Sequence, residues 1–252
     1  MWGVNVEMNS FETVIYRKAG NIACVSFNRP NVLNAYNLLM RDELYQVLEA
    51  VRDDTEVKLV VIRGEGRSFC AGADLTEFGS SPSQTVARQV RWERDIWGLM
   101  LSISKPLIAG IHGYCLGLGL EVALLCDLRI ASRDSIFGMP ELGLGMLPAA
   151  GGTQTLPRGS GQSSALDILL TGRHITAAEA LKLGLVGQVV SPELLDEEIL
   201  NLSHKLVSFP EVGLKAAKES VNYGLNLTLE GALEMEARLS LQTLLLYSSA
   251  AE

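Results

Sequence analysis

The sequence has few of the residues that nucleic-acid, anionic-membrane and zinc sites require. Lys and Arg number 21 against 29 Asp and Glu, the formal net charge is −8, and no run of basic residues occurs. Binding to nucleic acid or to an anionic membrane is therefore disfavoured. The histidines, His112, His174 and His204, lie far apart, which excludes a zinc site of the usual spacing. We expect no metal and no nucleic-acid partner.

Long apolar runs and targeting signals are also missing. The longest apolar run, Leu116 to Leu125, contains Glu121 and is too short to span a bilayer. Met1 to Ser10 lacks the basic and apolar regions of a signal peptide, and it is not an Arg-rich transit peptide. The expectation is a soluble, cytoplasmic protein with no membrane partner.

Cysteines are few, and their spacing matches no CxxC motif. None of the four, Cys24, Cys70, Cys115 and Cys126, belongs to a CxxC pair, and each lies in or beside an apolar run. This usage is typical of buried, reduced thiols in an intracellular protein.

What the sequence has in abundance favours one large α/β unit. Hydrophobic residues make up 48% and glycines number 24, enough for a sizeable core with many turns. Strand and helix patterns alternate up to about residue 190, and only helices follow. We therefore predict a core over 1–195 and a C-terminal helical region over 196–252.

Local patterns predict the individual elements. Strands are expected at Val14–Tyr16, Ile22–Phe27, Leu59–Ile62, Pro106–Ile111, Leu128–Ala131 and Val186–Val190. Helices are expected at Asn37–Arg52, from an N-cap at Ser81-Pro82 through Trp92, Ile96, Leu99 and Ile103, at Leu118–Cys126, and after the capping box Thr176–Glu179.

Two segments of small residues follow predicted strands. Ser68 to Leu75 lets a ligand approach the main chain, so its N–H groups could act as donors, although taken alone such a stretch is more often a tight structural turn. Gly113 to Leu124 runs from a strand into a glycine-punctuated helix start, where unpaired N–H groups carry partial positive charge. Both segments are candidates to stabilise a developing oxyanion.

Two glutamates interrupt apolar surroundings. Glu121 lies in a helix that is otherwise apolar, where a carboxylate is unfavourable unless it is paired or functional. Glu141 lies in the apolar stretch Phe137 to Leu144. The structural alternatives are a Glu121 paired with a backbone donor or an arginine, and a Glu141 in an exposed turn. If both are buried, their pKa values rise toward the range that acid–base chemistry uses.

Taken together, these segments resemble the enoyl-CoA hydratase/isomerase (crotonase) superfamily over roughly residues 13–247. The matching segments, in chain order, are Asn28-Arg29-Pro30, Leu33-Asn34-Ala35, Cys70–Asp74, Lys105–Ala109, Gly117–Glu121, Cys126–Leu128, Phe137–Leu142, Gly151–Gln154, Thr171–Arg173 and Ala177–Val186. The resemblance implies an α/β fold, a crotonase-like spiral of repeated β-β-α units with a C-terminal helical trimerisation region. It also implies a homotrimer or a dimer of trimers.

The resemblance also implies a reaction and its site. The expected activity is hydration of a trans-2-enoyl-CoA, as in fatty-acid β-oxidation, with Glu121 and Glu141 catalytic and the N–H groups of Ala73 and Leu118 forming the oxyanion hole. Coenzyme A arrives as part of the substrate, so no cofactor is expected. Residues implied in substrate and CoA binding are Arg29, Leu33, Ala35, Ala71, Gly72, Asp74 and Leu75, and Arg67 is a further nearby cation.

Other reactions of this superfamily remain open on the sequence. In this superfamily isomerisation, decarboxylation and ring hydration or hydrolysis use the same oxyanion hole, and the presence of both Glu121 and Glu141 is what favours hydration. An RNA-binding protein on this fold is disfavoured by the acidic charge. Leu118 stands where a glycine is common, and the chain stops at Glu252, short of a basic tail that often helps hold CoA. Acyl specificity is expected to depend on residues between Thr76 and Ile103.

Overall fold

The strands and helices alternate through most of the chain. The computed structural model describes residues 11–77 and 93–249, with side chains as far as Leu246. The strands are β1 (Val14–Ala19), β2 (Ile22–Phe27), β3 (Leu59–Gly64), β4 (Leu107–Ile111), β5 (Tyr114–Leu116), β6 (Leu128–Ser132), β7 (Ile136–Gly138), β8 (Ile175–Thr176) and β9 (Gln188–Val190). The helices are α1 (Leu38–Asp53), α2 (Ile96–Ser102), α3 (Leu118–Leu125), α4 (Gly152–Ser160), α5 (Gln162–Thr171), α6 (Ala177–Lys182), α7 (Leu195–Val207), α8 (Glu211–Gly224) and α9 (Leu229–Ser249).

Two sheets organise these elements. The larger sheet has the order β1-β2-β3-β4-β6-β9, and the smaller has the order β5-β7-β8. In the larger sheet β1 and β2 pair antiparallel, and the remaining neighbours pair parallel. The chain thus passes from one sheet to the other and back, which is the predicted spiral of β-β-α units, and the predicted fold class is confirmed.

The strand β2 shows why the central strands are continuous apolar runs. All six of its residues are buried, because both faces of this sheet are covered. Ala23, Val25 and Phe27 point into the main core. Ile22 and Cys24 point into a smaller core that Leu195 and Ile199 of α7 complete on the other face.

The segment before α2 differs from the expectation of one long helix. Residues Arg94 and Asp95 are not helical, and the Asp95 carboxylate accepts a hydrogen bond from Gly98 N at 3.1 Å, so a new helix is capped there. Ile96 and Leu99 are buried as predicted. The predicted helix start at Ser81-Pro82, together with Trp92 and Met1–Ser10, lies outside the described residues.

The C-terminal helices complete the predicted helical region. Helices α8 and α9 pack against each other, yet many of their apolar side chains are exposed, among them Leu225 at 78% and Leu229 at 76%. Of the described helices, none combines the length and the apolar character that crossing a membrane requires.

All four cysteines are free and buried. Three of them, Cys70, Cys115 and Cys126, lie in the main core. His112 at the end of β4 hydrogen-bonds through Nε2 with Gly66 O at 3.0 Å, and it is absent from the cavity wall described next. His112 therefore has a structural role, in which it joins the end of β4 to the turn at Gly66.

Candidate active site

A cavity of about 400 Å³ opens between α1, α2, α3 and the segment 140–150. Its wall is formed by Tyr36, Arg41, Ala71, Gly72, Ala73, Leu75, Arg94, Ile96, Trp97, Gly117, Leu118, Glu121, Pro140, Glu141, Leu144, Met146, Ala149 and Ala150. The wall thus contains both predicted catalytic glutamates and both residues of the predicted oxyanion hole. It also includes Arg94, Ile96 and Trp97 from the stretch where acyl specificity was expected.

Glu121 is held by the start of the helix α4. Its side chain is 2% exposed, and its Oε1 accepts hydrogen bonds from Ala150 N at 2.9 Å and Gly152 N at 2.7 Å. These are N–H groups at a helix N-terminus, which favour a carboxylate. The structural alternative for Glu121 therefore holds for one of its oxygens, and it is compatible with a place on the cavity wall.

Glu141 is held differently. It is the second residue of the 3₁₀ turn Pro140–Leu144, and its Oε2 is buried with no hydrogen-bond partner among the described residues. Burial raises the pKa of the Glu141 carboxyl, and the nearby charge of Glu121 raises that pKa further. The predicted rise in pKa is thus present for Glu141.

Glycine at position 117 makes room for that carboxylate. Its φ is +49°, a region that side chains disfavour. A Cβ added at Gly117 would lie 2.6 Å from Glu141 Oε1. Gly117 therefore allows the helix start and the second glutamate to approach.

The two candidate donors are presented by different elements. Ala73 pairs with Tyr36 in an isolated parallel bridge, in which Tyr36 N donates to Gly72 O at 2.8 Å and Asp74 N donates to Tyr36 O at 2.9 Å. This pattern turns the N–H of Ala73 away from Tyr36. Leu118 is the first residue of α3, so its N–H has no partner within the helix. Neither N–H has a backbone acceptor among the described residues.

The residues implied in CoA binding divide into two groups. Ala71, Gly72 and Leu75 lie on the cavity wall. The wall does not include Arg29, Leu33, Ala35 or Asp74 of the described chain.

Arg29 and its neighbours support the wall from behind. Arg29 Nη1 contacts Asp74 Oδ2 at 2.7 Å and donates to Ala35 O at 2.6 Å. Leu33 O accepts from Ala71 N at 3.0 Å. These contacts give each residue a structural role, and CoA binding by them stays a prediction. Arg67 is exposed and likewise absent from the wall in the described part of the chain.

A buried asparagine explains one of the sequence segments. Asn34 has φ +57° and no exposed surface. Its Nδ2 donates to Ser68 O at 2.7 Å and to Glu65 O at 2.9 Å, and its Oδ1 accepts from Arg29 N at 2.8 Å. It therefore ties the loop after β2 to the loop after β3, the loop that carries Ala73.

Sequence reasoning missed the polar side chains at the far wall. Tyr36 and Arg41 line the cavity from the start of α1, and Arg94 lines it from the residue pair before α2. Tyr36 directly follows the matched segment Leu33-Asn34-Ala35, and this adjacency was the available signal. Arg41 lies next to the buried Met40 in a helix of mixed polarity, which gives no such signal.

Comparison with known proteins identifies the family of this chain. The family described as enoyl-CoA hydratase/isomerase matches residues 17–245. The chain belongs to the enoyl-CoA hydratase/isomerase family. The chain is similar to the short-chain-enoyl-CoA hydratase of Clostridium acetobutylicum, with 37% identity covering 92% of this chain and 88% of the relative. It is also 37% identical to the crotonyl-CoA hydratase of Syntrophomonas wolfei, over 90% of this chain and 88% of the relative.

The chain is also similar to solved structures of this family. The enoyl-CoA hydratase of Bacillus anthracis has a TM-score of 0.86 and 33% identity, covering 91% of this chain and 90% of that one. As an enoyl-CoA hydratase/isomerase family member, the chain has the crotonase fold. Its described residues contain no group of three or more His, Cys, Asp or Glu placed to hold a metal ion.

Proposed function

We propose that this chain is an enoyl-CoA hydratase that adds water syn across the 2,3 double bond of a trans-2-enoyl-CoA to give a 3-hydroxyacyl-CoA. The observation that carries the proposal is the shared cavity wall of Glu121, Glu141, Ala73 and Leu118. Two carboxyl groups and two candidate N–H donors around one space are what hydration of a thioester-conjugated double bond needs.

The thioester oxygen is the atom that gains charge in this reaction. As water adds to Cβ, electrons move onto that oxygen and an enolate forms. The N–H groups of Ala73 and Leu118 would donate to it, and donors aimed at a developing charge stabilise the transition state more than the ground state.

The two glutamates would divide the proton transfers. Glu121, oriented through Oε1, would help activate the water that attacks Cβ. Glu141 would deliver a proton to Cα and recover one from the same water, so that the enzyme ends unchanged. The raised pKa of Glu141 supports this role, because a carboxyl that retains its proton nearer neutral pH is a better acid there.

The substrate's CoA moiety would lie on the side of Ala71, Gly72 and Leu75, with Arg29, Leu33, Ala35 and Asp74 next to it. The chemistry described uses only groups of the chain and a water, and it requires no cofactor and no metal.

The wider setting belongs to the same proposal. We expect a homotrimer or a dimer of trimers, and the exposed apolar side chains of α8 and α9 support burial against other copies. We also propose a cytoplasmic location and a place in fatty-acid β-oxidation. Sedimentation equilibrium of the purified chain tests the oligomeric state, and a monomer would contradict it.

The reaction itself is tested by product analysis. Purified protein is mixed with trans-2-enoyl-CoA substrates from short linear to cyclic, and the absorbance of the conjugated enoyl thioester is followed. We expect that absorbance to fall while the mass of the product rises by one water. A product of unchanged mass would indicate isomerisation, and a product that has lost carbon dioxide would indicate decarboxylation.

A further inference from the structure

The cavity has a second polar region that the hydration chemistry does not use. We call it the arginine end and define it as Tyr36, Arg41, Arg94 and Trp97, all of which lie on the cavity wall. The glutamate end is Glu121 and Glu141. The arginine end is formed where α1 packs against α2.

The arginine end has more positive than negative charge. Arg41 Nη2 contacts Asp42 Oδ1 at 2.8 Å, and Arg94 Nε is 3.8 Å from the same oxygen. In the described part of the chain, no other carboxylate forms an ion pair with either arginine. Two guanidinium groups therefore share one carboxylate, and the Arg94 guanidinium also lies over the Tyr45 ring, 5.2 Å from its centroid. The two arginines carry one positive charge more than this carboxylate balances.

A buried donor lies in the same place. Tyr36 is 9% exposed, and its hydroxyl is buried and has no hydrogen-bond partner among the described residues. A buried hydroxyl without a partner is destabilising, so its presence needs an explanation. A ligand atom that accepts this hydrogen bond supplies one.

The charged groups that act on the two ends are different. Burial is the main cause that raises the pKa of Tyr36, and the electrostatic contributions come from Arg41, Cys70 and Asp42, so the hydroxyl remains a donor. The charge that acts on Glu141 comes from Glu121. One cavity thus combines a cationic region that offers hydrogen bonds with an acidic region that moves protons.

We propose that the arginine end binds a carboxylate at the distal end of the acyl chain, so that the preferred substrate is a CoA monothioester of an unsaturated dicarboxylic acid. This inference rests on the proposed hydratase function, because it assigns the other end of the same substrate. A methyl end would displace water from Arg41 and Arg94 without replacing its hydrogen bonds, and it would leave the Tyr36 hydroxyl without a partner. Sites built for a polar group discriminate strongly against analogues that lack it.

The experiment compares two trans-2-enoyl-CoA substrates of equal length, one ending in a methyl group and one in a carboxylate. The six-carbon pair is trans-2-hexenoyl-CoA and the CoA monothioester of trans-2-hexenedioic acid. We expect kcat/KM of the wild type to be about tenfold or more higher for the carboxylate-ended substrate, as hydrogen bonds to a charged group imply. Equal values, or a preference for the methyl end, would overturn the inference.

Two variants test the residues, and a third is the matched control. Arg41→Leu is expected to lower kcat/KM about tenfold or more for the carboxylate-ended substrate alone, and Tyr36→Phe about fivefold or more. Arg52→Leu removes a charge from the exposed end of the same helix and should leave kcat/KM unchanged for both substrates. If Arg41→Leu and Tyr36→Phe impair both substrates equally, the residues serve the CoA moiety or the fold, and the inference is wrong.

Binding separates this inference from the proposed reaction. Calorimetric titration with the saturated analogues hexanoyl-CoA and adipoyl-CoA requires no turnover. Tighter binding of adipoyl-CoA that is lost in Arg41→Leu would support the arginine end even if neither enoyl substrate were hydrated. Hydration of both substrates with equal binding of both analogues would leave the hydratase function standing and remove the carboxylate site.

Discussion

The glutamate end and the arginine end of the cavity hold their charged groups in different ways. Glu121 is oriented by two backbone N–H groups, and Gly117 leaves space for Glu141. At the arginine end the donors exceed the acceptors, and a buried hydroxyl has no partner in the described structure. In the proposed function, the region that transfers protons has its carboxyl groups positioned by the chain itself, whereas the region that recognises the substrate leaves a hydroxyl without a hydrogen-bond partner until the substrate binds.

The largest effects are expected from removing either acid. Glu121→Gln and Glu141→Gln keep the shape of the side chain but cannot exchange a proton, so each should lower kcat by about 10²–10⁴-fold. Stopped-flow or steady-state enoyl absorbance measures this loss. Glu197→Gln, an exposed glutamate on α7, is the control and should be near wild type. Activity of either test variant close to that of the wild type would contradict the assigned roles.

A change beside the glutamates should have the next largest effect. Gly117→Ala introduces a Cβ 2.6 Å from Glu141 Oε1 at a φ of +49°. We expect kcat/KM to fall about 100-fold, because small displacements of catalytic groups slow the reaction strongly. We also expect the unfolding free energy to fall by about 1–3 kcal/mol.

Gly143→Ala provides the comparison for that variant. Gly143 lies in the 3₁₀ turn that carries Glu141, and a Cβ there meets no atom within 4 Å. Its activity should stay within about twofold of wild type. A Gly117→Ala enzyme as active as Gly143→Ala would show that the close approach to Glu141 is unimportant.

A smaller effect is expected on the pH dependence of stability. Because burial raises the pKa of Glu141 above its ordinary value of 4.5, folding favours the protonated form. The stability from this group is therefore complete below the pKa of the unfolded chain and is lost as pH rises through the raised pKa of the folded protein. The amide side chain of the Glu141→Gln variant cannot ionise. The unfolding free energy of the variant should therefore increase relative to that of the wild type as pH rises above 4.5.

Urea denaturation of wild type and Glu141→Gln at a series of pH values tests this expectation. Measuring both proteins at each pH cancels the titration of the other groups. A difference that is independent of pH, or that shifts in favour of the wild type as pH rises, would contradict the raised pKa.

The smallest effect is expected at the arginine end. Tyr36→Phe removes a buried hydroxyl without a partner, so the unliganded variant should be as stable as wild type or more stable by up to about 1 kcal/mol. Tyr114→Phe, at an exposed position, is the control and should change little. Thermal or chemical denaturation without ligand measures both, and a marked loss of stability in Tyr36→Phe would indicate that its hydroxyl already has a partner.

Local signals in the sequence predicted the strands, the helices and the unusual Glu121, whereas the spiral fold and the joint role of Glu121 and Glu141 came from the family resemblance. Glu121 contrasts with an apolar helix, and Gly117 marks the helix start. Arg41 carries no such contrast, since a charged residue on a helix of mixed polarity is usually solvated. Its place on the cavity wall depends on how α1 meets α2, which is a long-range contact. For Arg29 nothing in the sequence indicated its observed partner, Asp74, which is 45 residues away, and CoA binding by Arg29 stays a prediction.

The burial of the four thiols has a practical consequence. Desolvation raises the pKa of Cys24 to about 11 and of Cys70 and Cys126 to about 12, and it raises that of Cys115 as well. Since the thiolate is the reactive form, alkylating reagents should leave the folded protein unlabelled near neutral pH. A cysteine introduced at Leu75, which is 53% exposed beside the cavity, would then accept a fluorophore alone and could report substrate arrival with no other cysteine removed.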